Sequence, residues 1–237
     1  MWLWFIAAFA AFFVKGVCGF ANTLVFTSIM AFGTANRSIS PVELLIGFPA
    51  NFVLAWRGRK RLNRKIVLLC SLFMMLGGIP GALFLKTADV SAVRVFFGFV
   101  VLLTAGEILL CKEQTPRSGS GLPVLLIGLF SGFLSGMFGV GALMAACIEQ
   151  MSEDMESFKA NASAVFFLEN IMRIPLYAFT GILTMESLKL AAMILPACLL
   201  GLYGGIYVSS LLKESVSRKI VILPLIASGI SMILMNL

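Results

Sequence analysis

The chain alternates long apolar stretches with short polar loops. Nearly uncharged stretches of about 20 residues recur along it, and about 20 is the helical length that crosses the hydrocarbon of a bilayer. Hydrophilic loops lie at 57–65 and 149–159, and turn residues fill 115–121. The pattern therefore predicts an all-α membrane protein, with membrane spans at 41–56, 66–85, 92–111, 158–179, 188–212 and 216–234.

Two longer apolar blocks, 2–33 and 122–151, are interrupted by Gly-rich segments at 15–19 and 135–141. Each side of the first interruption has about 13 residues, or roughly 20 Å of helix, which is shorter than the ~30 Å of hydrocarbon. The block is either one broken, tilted span or a re-entrant helical hairpin. Non-helical backbone at membrane depth is tolerated only against protein or a wet cavity. Either reading places the interruptions at a functional centre.

The chain also repeats itself. Residues 13–19 match 133–139 at a shift of 120. The glycine cluster at 77–81 matches 201–205 at a shift of 124, and Arg94 matches Arg218 at the same shift. We therefore predict one transmembrane domain over 1–237, built from homologous repeats at 1–112 and 121–237 with a short linker. Each repeat would hold a broken or re-entrant helical hairpin and three transmembrane helices, and the clusters would pack helices closely. Their glycines are Gly77, Gly78, Gly81, Gly201, Gly204 and Gly205.

Composition and charge place these spans in a membrane and orient them. The chain is 60% hydrophobic and 12% charged, against about a quarter charged in soluble domains. Six basic residues crowd 57–65, which is typical of a cytoplasmic loop and not of nucleic-acid binding. If both blocks re-enter, twelve of the 18 basic residues lie in cytoplasmic loops. If both blocks cross fully, only eight lie on the cytoplasmic side and seven lie outside, with the others within apolar segments. The distribution favours an inverted repeat in a multi-pass cell-membrane protein, as in a bacterial or archaeal inner membrane.

Several classes of protein are disfavoured by what the sequence lacks. The five cysteines have no paired spacing, so neither a disulfide framework nor a zinc site is predicted, and histidine is absent. No Walker or Rossmann motif occurs, so we expect no cofactor, no ATP hydrolysis and no enzyme activity. No basic residue precedes Lys15, so the apolar N-terminus does not fit a signal peptide, and we expect it to be retained.

The interruptions themselves are the first candidate site. Helices beginning near Phe20 and Ala142 would expose unpaired N–H groups and about +0.5 of a charge at their N-termini. Two such ends that face each other form an anion site. Five glycines permit the interruptions and allow a ligand to approach the backbone closely. The alternative is that they only allow neighbouring helices to pack closely. They are Gly16, Gly19, Gly136, Gly139 and Gly141.

Charged residues inside the apolar blocks are the second candidate. Lys15 needs a partner at membrane depth, which an anionic substrate would supply, unless its head reaches an interface. Glu169 and Arg173 are four residues apart and share a helix face. The planar fork of Arg173 suits a sulfonate or carboxylate. Glu169 either couples transport to protons or simply neutralises Arg173, and a purely structural ion pair is the alternative.

Amide side chains complete the candidate site. Asn51 and Asn170 occupy matching positions of the two repeats, and Asn22 follows the first interruption. Such amides either bind substrate oxygens or join helices by hydrogen bonds. Glu43 and Glu107 lie near span ends, where we expect an interfacial position.

The chain resembles the TauE/SafE family of sulfite exporters (TSUP). The resemblance rests on the repeats of about 120 residues, the broken Gly-rich helix that opens each repeat, the glycine clusters at 77–81 and 201–205, and the basic loop at 57–65. The resemblance covers nearly the whole chain. It implies carriage of small sulfur-containing or carboxylic anions, such as sulfite, sulfonates or sulfoacetate. The chain departs from the family's glycine run at Lys15, Cys18 and Asn22.

These observations predict a secondary transporter that moves a small anion by alternating access around a site at the bilayer midplane. Its partners would be the anionic substrate, the lipid bilayer and H⁺ or Na⁺ as the coupling ion, with no nucleic acid; an oligomer is compatible with the sequence. Three alternatives stay open: a carrier of short carboxylates, a membrane thiol enzyme acting through Cys18, and a non-catalytic assembly subunit.

Overall fold

The computed structural model describes residues 1–30, 36–85 and 122–211, and these residues form helices without β-strands. The predicted spans at 92–111 and 216–234, the linker at 115–121 and residues Arg94, Glu107 and Arg218 lie outside the described residues. A short 3-10 turn, Arg59–Arg61, precedes the fourth helix. The α-helices are α1 Trp2–Cys18, α2 Asn22–Met30, α3 Asn36–Arg57, α4 Arg64–Leu85, α5 Leu122–Phe138, α6 Ala142–Gln150, α7 Met155–Phe179 and α8 Met185–Leu211.

Three of the described helical segments are long and apolar enough to cross a bilayer, namely Ile39–Arg57, Arg64–Leu85 and Met185–Leu211. They coincide with the spans predicted at 41–56, 66–85 and 188–212, and they indicate a membrane protein. Helix α7 is 25 residues long but is not among them, because charged and amide side chains lower its mean hydropathy. The span predicted at 158–179 is thus a helix whose polar residues are buried within the protein.

The first interruption lies further along the chain than predicted. Helix α1 continues through Lys15 to Cys18, and the non-helical residues are 19–21. Gly19 and Ala21 have φ of 87° and 68°, the left-handed region that ends a right-handed helix. The predicted interruption at 15–19 was therefore wrong, and the two sides are 17 and nine residues long instead of about 13 each. The second interruption is at 139–141, where Gly139 has φ of 78°.

After each interruption the short helix packs back along the preceding one. The rings of Trp4 and Phe26 lie 5.9 Å apart, although a continuous helix would separate these residues by about 33 Å. In the second half the Met144 amide donates to Ser131 Oγ at 3.1 Å. Helix α2 therefore lies beside α1, and α6 lies beside α5.

Helices from the first part of the chain pack against helices from the second: α1 packs along α8, α4 packs along α5, and α3 packs against α7. The backbones approach so closely that a Cβ on Gly205 would lie 2.1 Å from Phe13 O, and one on Gly81 would lie 2.1 Å from Phe133 O. These distances leave no room for a side chain. The predicted close packing of the glycine clusters is thereby confirmed at Gly77, Gly81, Gly201 and Gly205.

Helix α7 begins at a capping residue in the loop after α6. The Asp154 side chain accepts a hydrogen bond from the Ser157 amide at 2.7 Å, and this bond is the main reason why the pKa of the Asp154 carboxyl is lowered. The carboxylate also pairs with the half-exposed Arg61. The cap therefore stabilises α7 above the ordinary pKa of Asp, and this contribution is lost as the pH falls through the lowered pKa of the folded protein.

We expect Asp154→Ala to lower the free energy of unfolding by about 1 kcal/mol, because an orphan amide of the first turn loses its acceptor. Asp154→Ser keeps the cap and removes only the exposed ion pair with Arg61, so it should cost a few tenths of a kcal/mol at most. Thermal unfolding in detergent at neutral pH measures both. Equal losses in the two variants would show that the ion pair, and not the cap, stabilises this end of α7.

Candidate functional site

A buried pocket lies where the two interruptions meet α3 and α7. Its volume is about 30 Å³, room for roughly two water molecules. The structure brings eight of the eleven residues predicted for the site to the lining of this one pocket. They are Lys15, Asn22, Asn51, Gly139, Gly141, Glu169, Asn170 and Arg173.

The other three predicted residues, all of them glycines, do not line the pocket. A Cβ on Gly16 would lie 2.4 Å from Leu202 O, and one on Gly136 would lie 2.3 Å from Gly78 O. For Gly16 and Gly136 the structure agrees with the alternative of close helix packing. Gly19 takes the left-handed conformation that ends α1, so it permits the interruption without lining the pocket.

Arg173 lines the pocket and is 1% exposed. Its Nη1 donates to Ser135 O at 2.9 Å and to Ser135 Oγ at 3.1 Å, and it lies 3.3 Å from Glu169 Oε1. Its Nη2 lies 3.9 Å from Glu43 Oε2. The buried Nε has no hydrogen-bond partner within the described chain. Arg173 thus lines the cavity and carries a buried donor without a partner, which an anion would satisfy.

Glu43 is a residue of the pocket that the sequence reasoning placed wrongly. We expected an interfacial carboxylate, but Glu43 is 3% exposed. Its Oε1 accepts hydrogen bonds from Asn22 Nδ2 and, at 2.8 Å, from Thr23 Oγ1. The physical reason is that α3 begins well before Glu43, at Asn36, so Glu43 lies inside the helix and not at its end. A usable signal existed, because Glu43, Gly47 and Asn51 recur every four residues and share one face of α3.

Lys15 points its ammonium group into the protein. The side chain is 1% exposed, its Nζ donates to Asn22 Oδ1 at 2.9 Å, and it lies 5.8 Å from the centre of the Phe166 ring. The alternative of a lysine that reaches the membrane interface does not fit this burial. Asn22 connects Lys15 to Glu43, so the two charges on one side of the pocket belong to one hydrogen-bonded chain.

Both short helices direct their N-termini at the pocket, as the sequence predicted. Residues 21–24 and 139–142 line it. The first helical hydrogen bonds are Val25 N to Ala21 O at 3.1 Å and Ala145 N to Gly141 O at 2.8 Å. The amides immediately before these have no helical acceptor, so each N-terminus contributes a partial positive charge.

The amides of Asn51 and Asn170 come from equivalent positions of α3 and α7 to the same lining. Asn51 Oδ1 is buried and has no partner among the described residues. A buried polar atom without a partner costs free energy and marks a place where a ligand or a water binds.

The thiol of Cys18 is fully buried and donates to the carbonyl oxygens of Val14 and Phe20, at 2.9 and 3.2 Å. This environment fits a small apolar residue and not an exposed nucleophile. Among the residues that the structure describes, no cluster of three or more His, Cys, Asp or Glu side chains is placed to hold a metal ion.

The family model described as "Sulfite exporter TauE/SafE" matches residues 4–232, nearly the whole chain. The chain belongs to the TauE/SafE sulfite exporter family. Comparisons with curated proteins and with solved structures gave no match. TauE/SafE membership makes the chain a member of a membrane transporter family and confirms the resemblance found in the sequence.

Proposed function

We propose that the chain is a secondary transporter that carries small anions through the pocket between its two halves. The observation that carries this proposal is the buried guanidinium of Arg173, whose Nε lacks a partner beside a cavity. The Lys15 ammonium and two helix N-termini line the same cavity. Donors thus converge on a space in which the oxygens of a negatively charged ligand would supply the acceptor that Arg173 Nε lacks.

The proposed substrates are sulfur oxyanions, such as sulfite, sulfonates and sulfoacetate. Membership of the TauE/SafE family supports this class, and the several donors around the cavity match the three oxygens of a sulfite or sulfonate group. A cavity of about 30 Å³ holds waters but not such an anion. The pocket therefore widens when substrate enters, as alternating access requires. Short carboxylates, which the same donors also fit, are the second candidate.

The proposed topology is an inverted repeat in the cell membrane with two re-entrant helical hairpins, α1–α2 and α5–α6. The contact of Trp4 with Phe26 and the hydrogen bond from Met144 to Ser131 support the hairpins, because each short helix packs back along its neighbour. The basic loop at 57–65 would face the cytoplasm. With three spans in each repeat the halves have opposite orientations, and the hairpin ends meet at mid-depth.

Transport into proteoliposomes tests the proposed function. Uptake of labelled sulfite should exceed that of empty liposomes, and unlabelled sulfonates should compete for it more strongly than short carboxylates do. The Cys18→Ser variant should transport at the parent rate, because the thiol contacts only backbone carbonyls. Uptake of a carboxylate without uptake of any sulfur anion would assign the second candidate. Absence of transport for the entire panel would contradict the proposal.

A further inference from the structure

The formal charges of the side chains that line the pocket cancel. Lys15 and Arg173 supply two positive charges, and Glu43 and Glu169 supply two negative charges. All four side chains are buried, with 3% exposure or less. The two helix N-termini add only partial positive charges, and a monoanion would also lie close to both carboxylates. Entry of one positive charge together with the anion, on one of these carboxylates, therefore favours binding.

The two carboxylates are held differently. Glu169 Oε1 lies 3.3 Å from Arg173 Nη1 and accepts from Ser135 Oγ at 3.1 Å. Glu43 Oε2 lies 3.9 Å from Arg173 Nη2, which is beyond hydrogen-bonding distance. An anion that pairs with Arg173 would therefore displace Glu43 more easily than Glu169.

Glu43 is also arranged to hold a proton without losing its other contacts. Both donors to its Oε1, Asn22 Nδ2 and Thr23 Oγ1, are neutral groups of α2. Their hydrogen bonds persist when the other oxygen, Oε2, is protonated. That oxygen would lie 3.0 Å from a Cβ on Gly139, so it faces the second interruption.

The charged and titratable groups that act on Glu43 come from three helices in the described part of the chain. Helix α1 contributes Lys15, and α7 contributes Glu169 and Arg173, with the Tyr177 hydroxyl one turn further on. Helix α8 contributes the thiol of Cys198. Arg173 is the nearest cation, so loss of its pairing is the event that most favours a proton on Glu43.

We infer that the pocket takes a monoanion together with one proton, which binds Glu43 Oε2 as the anion pairs with Arg173. The inference rests on the proposed transport function. The proton comes from the solution on the side where the anion enters, and it leaves with the anion on the other side. Transport of a monoanion is then electroneutral, and Glu43 instead of Glu169 is the coupling carboxylate.

Binding of methanesulfonate at different pH values tests this inference. Methanesulfonate keeps its single charge throughout the range from about pH 5 to about pH 8, so protons taken up on binding belong to the protein. At the alkaline end, the dissociation constant of the parent should rise about tenfold for each pH unit. Calorimetry in two buffers with different ionisation enthalpies should give about one proton per bound anion.

The matched variants are Glu43→Gln and Glu169→Gln, each a neutral isostere. Glu43→Gln should bind methanesulfonate independently of pH, with about the affinity that the parent shows near pH 5. Glu169→Gln should keep a pH dependence, because Glu43 still loses its pairing with Arg173 when the anion binds. The inference is overturned if the parent takes up no proton, if it does not bind methanesulfonate, or if only Glu169→Gln abolishes the dependence. If the same preparation still transports sulfite, these outcomes contradict the inference alone. If it does not transport sulfite, the proposed function has failed.

Discussion

Replacing Arg173 by glutamine is expected to reduce anion transport more than about 100-fold. The substitution removes the buried donor that lacks a partner and leaves Glu43 and Glu169 without their shared cation. Breaking a buried ion pair by removing one partner costs about 3–5 kcal/mol, so the melting temperature in detergent should also fall. Initial rates of sulfite uptake, normalised to folded protein by size-exclusion chromatography, measure the effect on transport.

The matched variant Arg173→Lys separates charge from geometry. Lysine keeps the cation for both carboxylates but lacks the planar fork and its Nε donor. We expect a folded protein with transport reduced at least about 10-fold. Arg59→Lys is the control. Arg59 lies in the exposed 59–61 turn and contacts Trp56 of α3, so its substitution should leave transport at the parent rate. Full transport by both Arg173 variants would remove Arg173 from the substrate site.

Replacing Gly205 by alanine is expected to destabilise the fold by about 2–3 kcal/mol. The new Cβ would lie 2.1 Å from Phe13 O and 3.0 Å from Gly16 Cα. Both atoms are backbone and do not rotate away, so α8 must move off α1 and pull on the helix that carries Lys15. Thermal unfolding in detergent and the yield of monodisperse protein measure the loss.

The adjacent residue provides the control for this substitution. A Cβ on Gly204 would lie 3.6 Å from Phe13 Cδ2, which is an ordinary van der Waals contact. Gly204→Ala should therefore melt close to the parent, and the alanine improves local helix propensity. Equal melting temperatures for Gly204→Ala and Gly205→Ala would contradict the close backbone packing of α1 on α8.

The glycine pattern shows what could be predicted from the sequence. Clusters that recur at a fixed shift predicted helix-packing surfaces, and Gly81 and Gly205 occupy such surfaces. The glycines at 16 and 19 were not distinguishable, because glycine both permits a left-handed residue and makes room for a neighbouring helix. Gly16 serves the second purpose because Leu202 of α8 lies against it. Gly19 serves the first purpose, because its φ of 87° ends α1 after Cys18.

The pocket residues, too, could be predicted only in part from the sequence. Lys15, Glu169 and Arg173 could be selected because charges are rare inside apolar stretches. Glu43 was misplaced, because the local sequence put it near the edge of an apolar stretch. Its burial depends on donors from α2 and on Arg173, which is 130 positions away in the chain. The four-residue spacing of Glu43, Gly47 and Asn51 was the available signal.

X-ray diffraction from crystals grown with selenite, recorded at the selenium absorption edge, tests the central claim most directly. Selenite has the shape and charge of sulfite, and its competition with sulfite uptake establishes that it occupies the transport site. We expect the selenium peak in the pocket between the two interruptions, with a selenite oxygen in hydrogen-bonding contact with Arg173 Nε. A competing selenite found elsewhere in the protein, with the pocket unchanged, would contradict the account.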